Sequence, residues 1–392
     1  MGNFKEVFSH KKLDNVGISC YNYIIQTNEK IMSMMKFDGS KIKEIRERRE
    51  RGLPPTPTDG DVVVASKNAK GGSELIYERV KERVPEDLWE YFQVILSRVR
   101  DYDGRPKILW FQDTSKDPEV QFLKDKKYRD QFERFVFPSD WSLEKYHLDL
   151  GIEYEKSVVL KNSIQPIPVH TKPKDGPLRL AYISTPHRGL DLLMGAFRAM
   201  KLENVVLDVY SSFKIYGWED QDTKYQPLYD ACMDTPNVNY HGTVSNDEIR
   251  AALQQTHILA YPNIYQETAC ISVIEAMSAG CVVVCPNLAV LPETCANFAW
   301  MYGYVQDKTE HARKFSYVLK DAIESFWEPP VQAGLAFQKQ YFDMHYDIDT
   351  TAKQWEMMLG TIKSNLEYSK QKNDNGEEIE SGKKIDEDQT NS

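Results

Sequence analysis

The sequence predicts an α/β protein built from two doubly wound, largely parallel sheets. Three observations carry this. Short apolar runs alternate with segments of helical spacing over most of the chain. A proline-rich stretch at 162–177 (NSIQPIPVHTKPKDGP) interrupts the alternation, and a second series of the same kind starts after it. The length, 392 residues, is a prior for two or three domains of ordinary size.

The elements follow in order. Residues 41–51 (KIKEIRERRER) have a helical pattern with charges of both signs, which reads as a solvated helix face, and the LPPTPTDG run at 53–60 breaks it. Residues 61–66 (DVVVAS) read as a buried strand, followed by the glycine loop NAKGG and a helix over 73–83. Residues 107–111 (KILWF) are a strand, 120–132 a helix, 134–138 a strand, 140–150 a helix and 157–160 a strand. Beyond the proline-rich linker come a strand at 178–184, a helix at 190–200 and a strand at 205–210. A polar, aromatic insertion then runs to Pro236. Strands at 238–241, 257–261 and 281–285 alternate with helices at 246–256 and 269–280, and 308–366 read as helices. The expected organisation is a helical extension (1–60), a first Rossmann-like half (61–165), a second (166–345), a C-terminal helix free to cross back (346–370) and a tail (371–392). The tail has seven acids, three lysines and no aromatic residue, a composition expected to be disordered.

Composition narrows the function classes. Forty-nine Lys and Arg face 59 Asp and Glu, a formal charge of −10, which argues against binding nucleic acid by bulk phosphate attraction. No run of 18 apolar residues exists, so no membrane-spanning helix is expected. The N-terminus lacks the apolar stretch of a signal peptide, and Glu6 stands where a myristoylation signal wants Ser or Thr. Six cysteines without a C-x-x-C pair read as small core residues in a reducing, cytoplasmic compartment.

The densest chemical signal lies at 258–293. A strand ends at Tyr261-Pro262, Glu267 follows in the loop, and the next helix contains Glu275 as the one charged residue in CISVIEAMSA. A helix that apolar should be buried, and a carboxylate within it needs a partner. Glu267, just ahead of the helix, lies where unpaired backbone N–H groups favour an anion. Taken singly, Glu267 reads as an N-terminal helix acid and Glu275 as half of a buried ion pair. Together, with small residues between them, they read as a site. They stand eight residues apart, about 12 Å if helical throughout.

Here the chain resembles the retaining GT-B glycosyltransferases of the large group 1, or family 4, type. The resemblance rests on Glu267 and Glu275 with seven residues between them, Ala276-Met277-Ser278-Ala279-Gly280, the apolar strand at 282–284 and Pro292-Glu293. It implies a GT-B fold, with two Rossmann-like domains facing a central cleft. The first half (61–165) would take an acceptor and the second (166–345) a sugar nucleotide. It implies transfer of a sugar from a nucleoside-diphosphate sugar to a hydroxyl acceptor with retention, with no cofactor and no metal. The acceptor, whether a glycan, a lipid-linked group or a protein, is left open.

The resemblance gives Glu275 the ribose hydroxyls, for which a carboxylate is a suitable double acceptor. It puts Glu267 near the transferred sugar and the backbone amides of Thr268, Ala269 and Cys270 against donor hydroxyls or phosphate, although relatives usually have Phe-Gly after the first glutamate. Arg188, at a strand end beside a helix start, matches a phosphate-binding position. A guanidinium there can clamp a diphosphate. Taken alone, it reads as a surface arginine pairing with Asp191. The first basic residue of the relatives' loop has no counterpart, since Ser184 and Thr185 occupy that region, and His187 reads as incidental. Gly71 and Gly72 match a loop that approaches the diphosphate, and Gly242 a loop that brackets the base. Asp113, where many relatives have histidine nearby, is a candidate to accept the acceptor's proton, or else a strand-end cap. A non-catalytic sugar-nucleotide or glycan-binding module and a GT-B-type epimerase remain as alternatives.

Overall fold

A computed structural model describes residues 39–54 and 71–374. The chain divides into two compact units, Met1–Thr56 and Pro57–Ser392. In the first, the helix Gly39–Glu50 carries the mixed charges, with Lys43 and Glu47 3.7 Å apart one turn along it. The expected strand at 61–66 lies outside the described residues, as does most of the acidic tail.

The second unit holds two parallel sheets. One has strands β1 (Gln93–Leu96), β2 (Lys107–Trp110), β3 (Arg134–Phe137) and β4 (Ser157–Val159) in the order β1-β2-β3-β4. The other has β5 (Leu178–Ile183), β6 (Val205–Tyr210), β7 (Val238–Tyr240), β8 (Ile258–Ala260), β9 (Val282–Pro286) and β10 (Trp300–Tyr302) in the order β10-β9-β8-β5-β6-β7. In the second sheet β5 lies between β6 and β8, so the winding reverses there. The loops leaving the carboxyl ends of β5 and β8 part to opposite sides, and a doubly wound sheet opens a crevice at that point.

The strands of the second sheet are apolar because both their faces are covered. β9 (VVVCP) is buried at all five positions. The helix Ile271–Ser278 packs behind it, with Val273, Ile274, Ala276 and Met277 in the core. The first sheet takes part of its core from the far end of the chain. The helix Ile348–Asp374 brings Trp355, Leu359 and Ile362 against Ile76, Val80 and Trp110, and the rings of Trp110 and Trp355 lie 4.6 Å apart. The crossing is pinned where Ile164 bonds to Tyr346 and Ile348 through backbone groups at 2.8 and 2.9 Å.

Several expectations are corrected. Residues 120–132 do not form one helix. A 3-10 segment, Pro118–Lys124, ends at Asp125, whose side chain caps the short helix Lys126–Arg129. β1 and β10 escaped sequence reading because they are only four and three residues long, too short to show a period. The insertion after β6 contains the 3-10 turn Phe213–Tyr216 and the helix Gln226–Met233. The last helix continues through residues 371–374, which had been assigned to the tail. The helix expected from 269 starts at Ile271, and Glu267 stands in the loop ahead of it, as expected. Among the described residues no helix is long and apolar enough to cross a membrane.

Candidate functional site

The crevice at the β5–β8 switch point opens into a cavity of about 200 Å³. Loop 184–189 after β5, loop 261–270 after β8, and loops from β6 and β7 form its walls, and Gly72, Ser73 and Gln112 of the first half close it. A second cavity of about 530 Å³ adjoins it and shares Ser73, Gln112, Arg188, Tyr216, Glu267 and Thr268.

Arg188 and Glu267 meet where the two cavities join. Arg188 Nη1 donates to Glu267 Oε1 at 2.8 Å, and Tyr261 Oη donates to the same oxygen at 2.5 Å. The Arg188 guanidinium also lies over the Tyr265 ring, 4.8 Å from its centre. Burial alone would lower the Arg188 pKa, but the Glu267 carboxylate and the phenols of Tyr216, Tyr261 and Tyr265 hold it well above the usual arginine value. Burial, reinforced by Glu267, keeps Tyr261 a neutral phenol and therefore a donor. His187 is pushed down to about 4 by burial and by Arg188, so the cation of this loop at neutral pH is Arg188.

The local chain makes this geometry possible. Gly189 has φ +115, and a Cβ there would run into the carbonyl oxygen of Pro262. Glycine thus lets the loop after β5 close onto the loop after β8. Tyr182 Oη donates to the Thr185 carbonyl at 2.9 Å, and Asn263 bonds to both backbone groups of Tyr265 at 2.7 and 2.9 Å. Asp191, the alternative partner for Arg188, is taken by Lys308 at 2.8 Å.

Three buried donors at this site have no hydrogen-bond partner among the described residues: Thr185 Oγ1, Ser211 Oγ and Arg188 Nε. Thr185 and Ser211 are only 5% and 2% exposed, and all three residues line the first cavity. Buried polar atoms are normally satisfied, so three unsatisfied donors around one cavity mark a place for an acceptor-rich ligand.

Seven of the residues singled out from sequence line the first cavity: Gly72, Arg188, Gly242, Glu267, Thr268, Ala269 and Cys270. Thr268 ties the halves together, donating from Oγ1 to the Gln112 carbonyl at 2.7 Å and accepting at its own carbonyl from Ser139 Oγ at 2.7 Å. Gly71 stands at the start of the helix Gly72–Lys81, where a side chain would strike the Tyr216 ring. Asp113 lines the second cavity with Arg188 and Glu267. Burial raises its pKa and Arg98, 3.5 Å away, opposes the rise.

Glu275 lies one turn into its helix, 2% exposed, and is not among the residues lining either cavity. Asn246 Nδ2 donates to both its oxygens, at 3.2 and 3.1 Å, and Arg79 and Arg250 approach Oε1 at 3.4 and 3.6 Å. Burial raises its pKa, and Arg79, Asn246 and Arg250 oppose the rise. Arg79 comes from the first half, on the helix Gly72–Lys81, so this carboxylate joins the two halves. Glu293 does likewise, accepting from the backbone N–H groups of Asp140 and Trp141 at 3.1 and 2.8 Å. Arg79, Asn246, Thr185, Ser211 and Tyr261 escaped sequence reading. The one signal for any of them was the need of Glu275 for a partner, which did not say which arginine.

Residues 172–327 match the family model "Glycosyl transferases group 1". The O-antigen chain mannosyltransferase B of Escherichia coli is 27% identical over 168 residues, 41% of this chain and 41% of that protein. The match therefore spans less than half of the curated relative. A glycosyltransferase from Rickettsia africae superposes with a TM-score of 0.57 at 11% identity, over 82% of this chain and 88% of its own. Anabaena HepE in complex with UDP gives 0.55 at 15% identity, over 74% and 82%. The fold is GT-B. Its two parallel-sheet α/β domains are the halves described above, and the matched segment carries Arg188, Glu267 and Glu275.

Proposed function

We propose that this GT-B protein is a glycosyltransferase that moves a sugar from a nucleoside-diphosphate sugar to a hydroxyl acceptor, with retention and without an essential divalent metal. The observation that carries the reading is the Arg188–Glu267 pair at the switch point, surrounded by the unpartnered donors Thr185 Oγ1, Ser211 Oγ and Arg188 Nε. A diphosphate supplies the oxygens those donors lack. The guanidinium has several N–H groups, so it can keep Glu267 on Nη1 while another of its donors meets phosphate.

In the reaction, the bond from the sugar's anomeric carbon to the diphosphate oxygen breaks, and its electron pair goes to the leaving diphosphate. The acceptor oxygen bonds to that carbon, and its proton passes to the Asp113 carboxylate. Arg188 stabilises the charge that grows on the diphosphate, as fixed donors do at any charge-developing transition state. Glu267, held by Arg188 and Tyr261, faces the sugar as it gains positive character. The amides of Thr268, Ala269 and Cys270 bind donor oxygens, Gly72 lets the backbone approach them, and the loop at Gly242 brackets the base. In this reading Glu275 accepts from the ribose hydroxyls, which requires the nucleotide to reach behind the cavity wall and take the place of Asn246 or Arg79 at the carboxylate.

Metal independence is part of the same proposal. It is supported by the cation already present at the leaving group and by the engagement of Glu267 and Glu275 with separate arginines. A cytoplasmic location is supported by the five described cysteines, which are all buried thiols. The net charge of −10 supports partners other than nucleic acid.

The test is to incubate purified protein with UDP-, GDP- and ADP-sugars and measure released nucleotide, with the anomeric configuration of the product read by NMR. Nucleotide release from at least one donor with retained configuration is expected. A protein that binds nucleotide but releases none from any donor would be a binding module, and an inverted product would refute retention.

A further inference from the structure

The helix Pro329–His345 is apolar on both of its faces. Inward, Leu335 and Phe342 join the core of the second sheet, and Gln338 Nε2 donates to the Met277 and Cys281 carbonyls at 3.1 and 2.9 Å. Outward, Pro330, Ala333, Gly334, Phe337, Gln340, Tyr341 and Met344 share one stripe at helical spacing. Phe337 and Met344 are 63% and 65% exposed, Pro330, Ala333, Gly334 and Gln340 are exposed, and Tyr341 is half-buried. Phe298 extends the patch, its ring 5.9 Å from that of Phe337 and 5.2 Å from that of Tyr341. The stripe carries no charge. The helix has one lysine and one acid, Lys339 and Asp343, which pair at 2.8 Å. Both turn inward, Lys339 to the carbonyls of Ile167 and Ser278 at 2.5 and 2.9 Å and Asp343 to Ser278 Oγ at 2.5 Å. A helix that is apolar all round is normally covered on every side.

We propose that this face pairs with the same face of a second copy of the chain, the two helices running antiparallel about a two-fold axis at Phe337. Shape and charge choose this occupant. Phe337 is the middle of the stripe, with small residues ahead of it and larger ones after it. A two-fold there sets Tyr341 opposite Ala333, Gln340 opposite Gly334 and Met344 opposite Pro330, one of each pair from each chain, so every bulky side chain meets a small residue. Gly334 has no atom within 4 Å of where a Cβ would stand, which leaves the room such a contact needs. A two-fold also sets a face against itself, so a charged face would repel its own copy. The chain carries −10 overall, yet this stripe carries none of it. A lipid surface is matched less well. An interfacial helix presents Lys or Arg beside its apolar face, and the one lysine here is held beneath. The 17-residue helix is about 25 Å long and 10 Å across. One such face supplies less than the roughly 800 Å² per partner of a standard interface, which makes the dimer weak and concentration-dependent. No residue of this helix lines either cavity, so the proposal stands apart from the reading of the cavities.

The test is sedimentation equilibrium on the full chain across a range of concentrations. The weight-average mass of the wild type should rise from 45.4 kDa toward twice that value as concentration increases. Phe337→Glu places two carboxylates at the axis and should weaken association at least tenfold. Its thermal unfolding transition should match the wild type's, because the side chain it replaces is exposed. Met344→Glu should weaken association severalfold, and adding Pro330→Lys to it should restore most of the loss, since the two-fold sets these positions opposite each other. Within one chain they lie about 21 Å apart along the helix, too far to pair. The proposal is overturned if the wild type stays monomeric at every concentration, or if its association is indifferent to Phe337→Glu. It is also overturned if Met344→Glu weakens association and Pro330→Lys restores none of it, which would refute the antiparallel two-fold. A monomer that binds phosphatidylglycerol vesicles, and loses that binding in Phe337→Glu, would assign the face to a lipid surface instead.

Discussion

Arg188→Ala separates what the Arg188–Glu267 pair does for stability from what it does for catalysis. Glu267 is 7% exposed, and the substitution removes the donor at 2.8 Å while leaving only Tyr261 Oη. Taking away one partner of a buried pair costs about 3–5 kcal/mol. Arg188 is partly open to solvent and the Tyr261 bond survives, so the lower end applies, about 3 kcal/mol. In a Glu267→Gln background no carboxylate charge is stranded. The same arginine removal then loses little beyond its contact with Tyr265, about 1 kcal/mol. The difference, a coupling of about 2 kcal/mol, is measurable by urea unfolding of the wild type, the two single variants and the double variant. Donor turnover behaves differently, because removal of a donor from a charge-developing oxygen lowers it by about 10²–10³. Arg188→Ala should lose that much whether or not Glu267 is replaced, so the double variant should be stable and inactive. Arg188→Lys should recover part of the activity, since Lys lacks the planar fork. A coupling indistinguishable from zero would refute the buried-pair account, and wild-type turnover in Arg188→Ala would remove Arg188 from the mechanism.

Other predictions concern the carboxylate at the join, the glycine and the metal. Glu275→Ala should weaken nucleotide binding by about 1.5–3 kcal/mol in calorimetry, the cost of a lost hydrogen bond to a charged group; unchanged affinity in a folded protein would rule out the ribose role. The Glu275 pKa is raised in the folded state by burial, so the folded protein binds the proton first and this group's contribution favours folding increasingly as pH falls through that raised value toward the ordinary glutamate value. Relative to Glu275→Gln, which has no such titration, the wild type should therefore gain stability over that window in denaturant titrations, and a constant difference would contradict the raised pKa. Gly189→Ala meets both a left-handed φ and the Pro262 carbonyl. It should cost at least about 1–3 kcal/mol in a thermal melt and displace Arg188 enough to lower turnover, and a neutral variant would show that the loops need not approach so closely. Turnover should persist in excess EDTA after metal stripping; complete loss restored by magnesium or manganese would contradict the arginine clamp.

The legible parts of the chain were those in which one local pattern dominates. The boundaries of the helices Asp140–Leu150 and Leu190–Met200 and of β6 could be read to the residue, because hydrophobic periodicity and flanking turn residues agree there. The segment 118–129 misled, since its apolar spacing suits a helix while Asp125 breaks it by capping a new turn. Loop residues of the site were legible as types. Arg188 stood out as a guanidinium at a strand end, and Glu275 as a lone charge in an apolar helix. Thr185 and Ser211 did not, because a hydroxyl in a loop has no sequence mark of being buried and unpartnered.

The sequence by itself determined the alternation that yields two parallel sheets, the break between them, and the two glutamates ahead of and within an apolar helix. Each is a short-range pattern, set by the period of an element or by the φ preference of a turn residue. Tertiary structure alone decided the partners. It brought Arg79 to Glu275 across 196 residues and Arg188 to Glu267 across 79. Sheet order controls those meetings, because placing β5 beside β8 is what turns two distant loops toward one crevice. Ion pairing and hydrogen bonding act over a few ångströms, so a sequence can state that a buried carboxylate needs a partner, but only the packed chain brings one within reach.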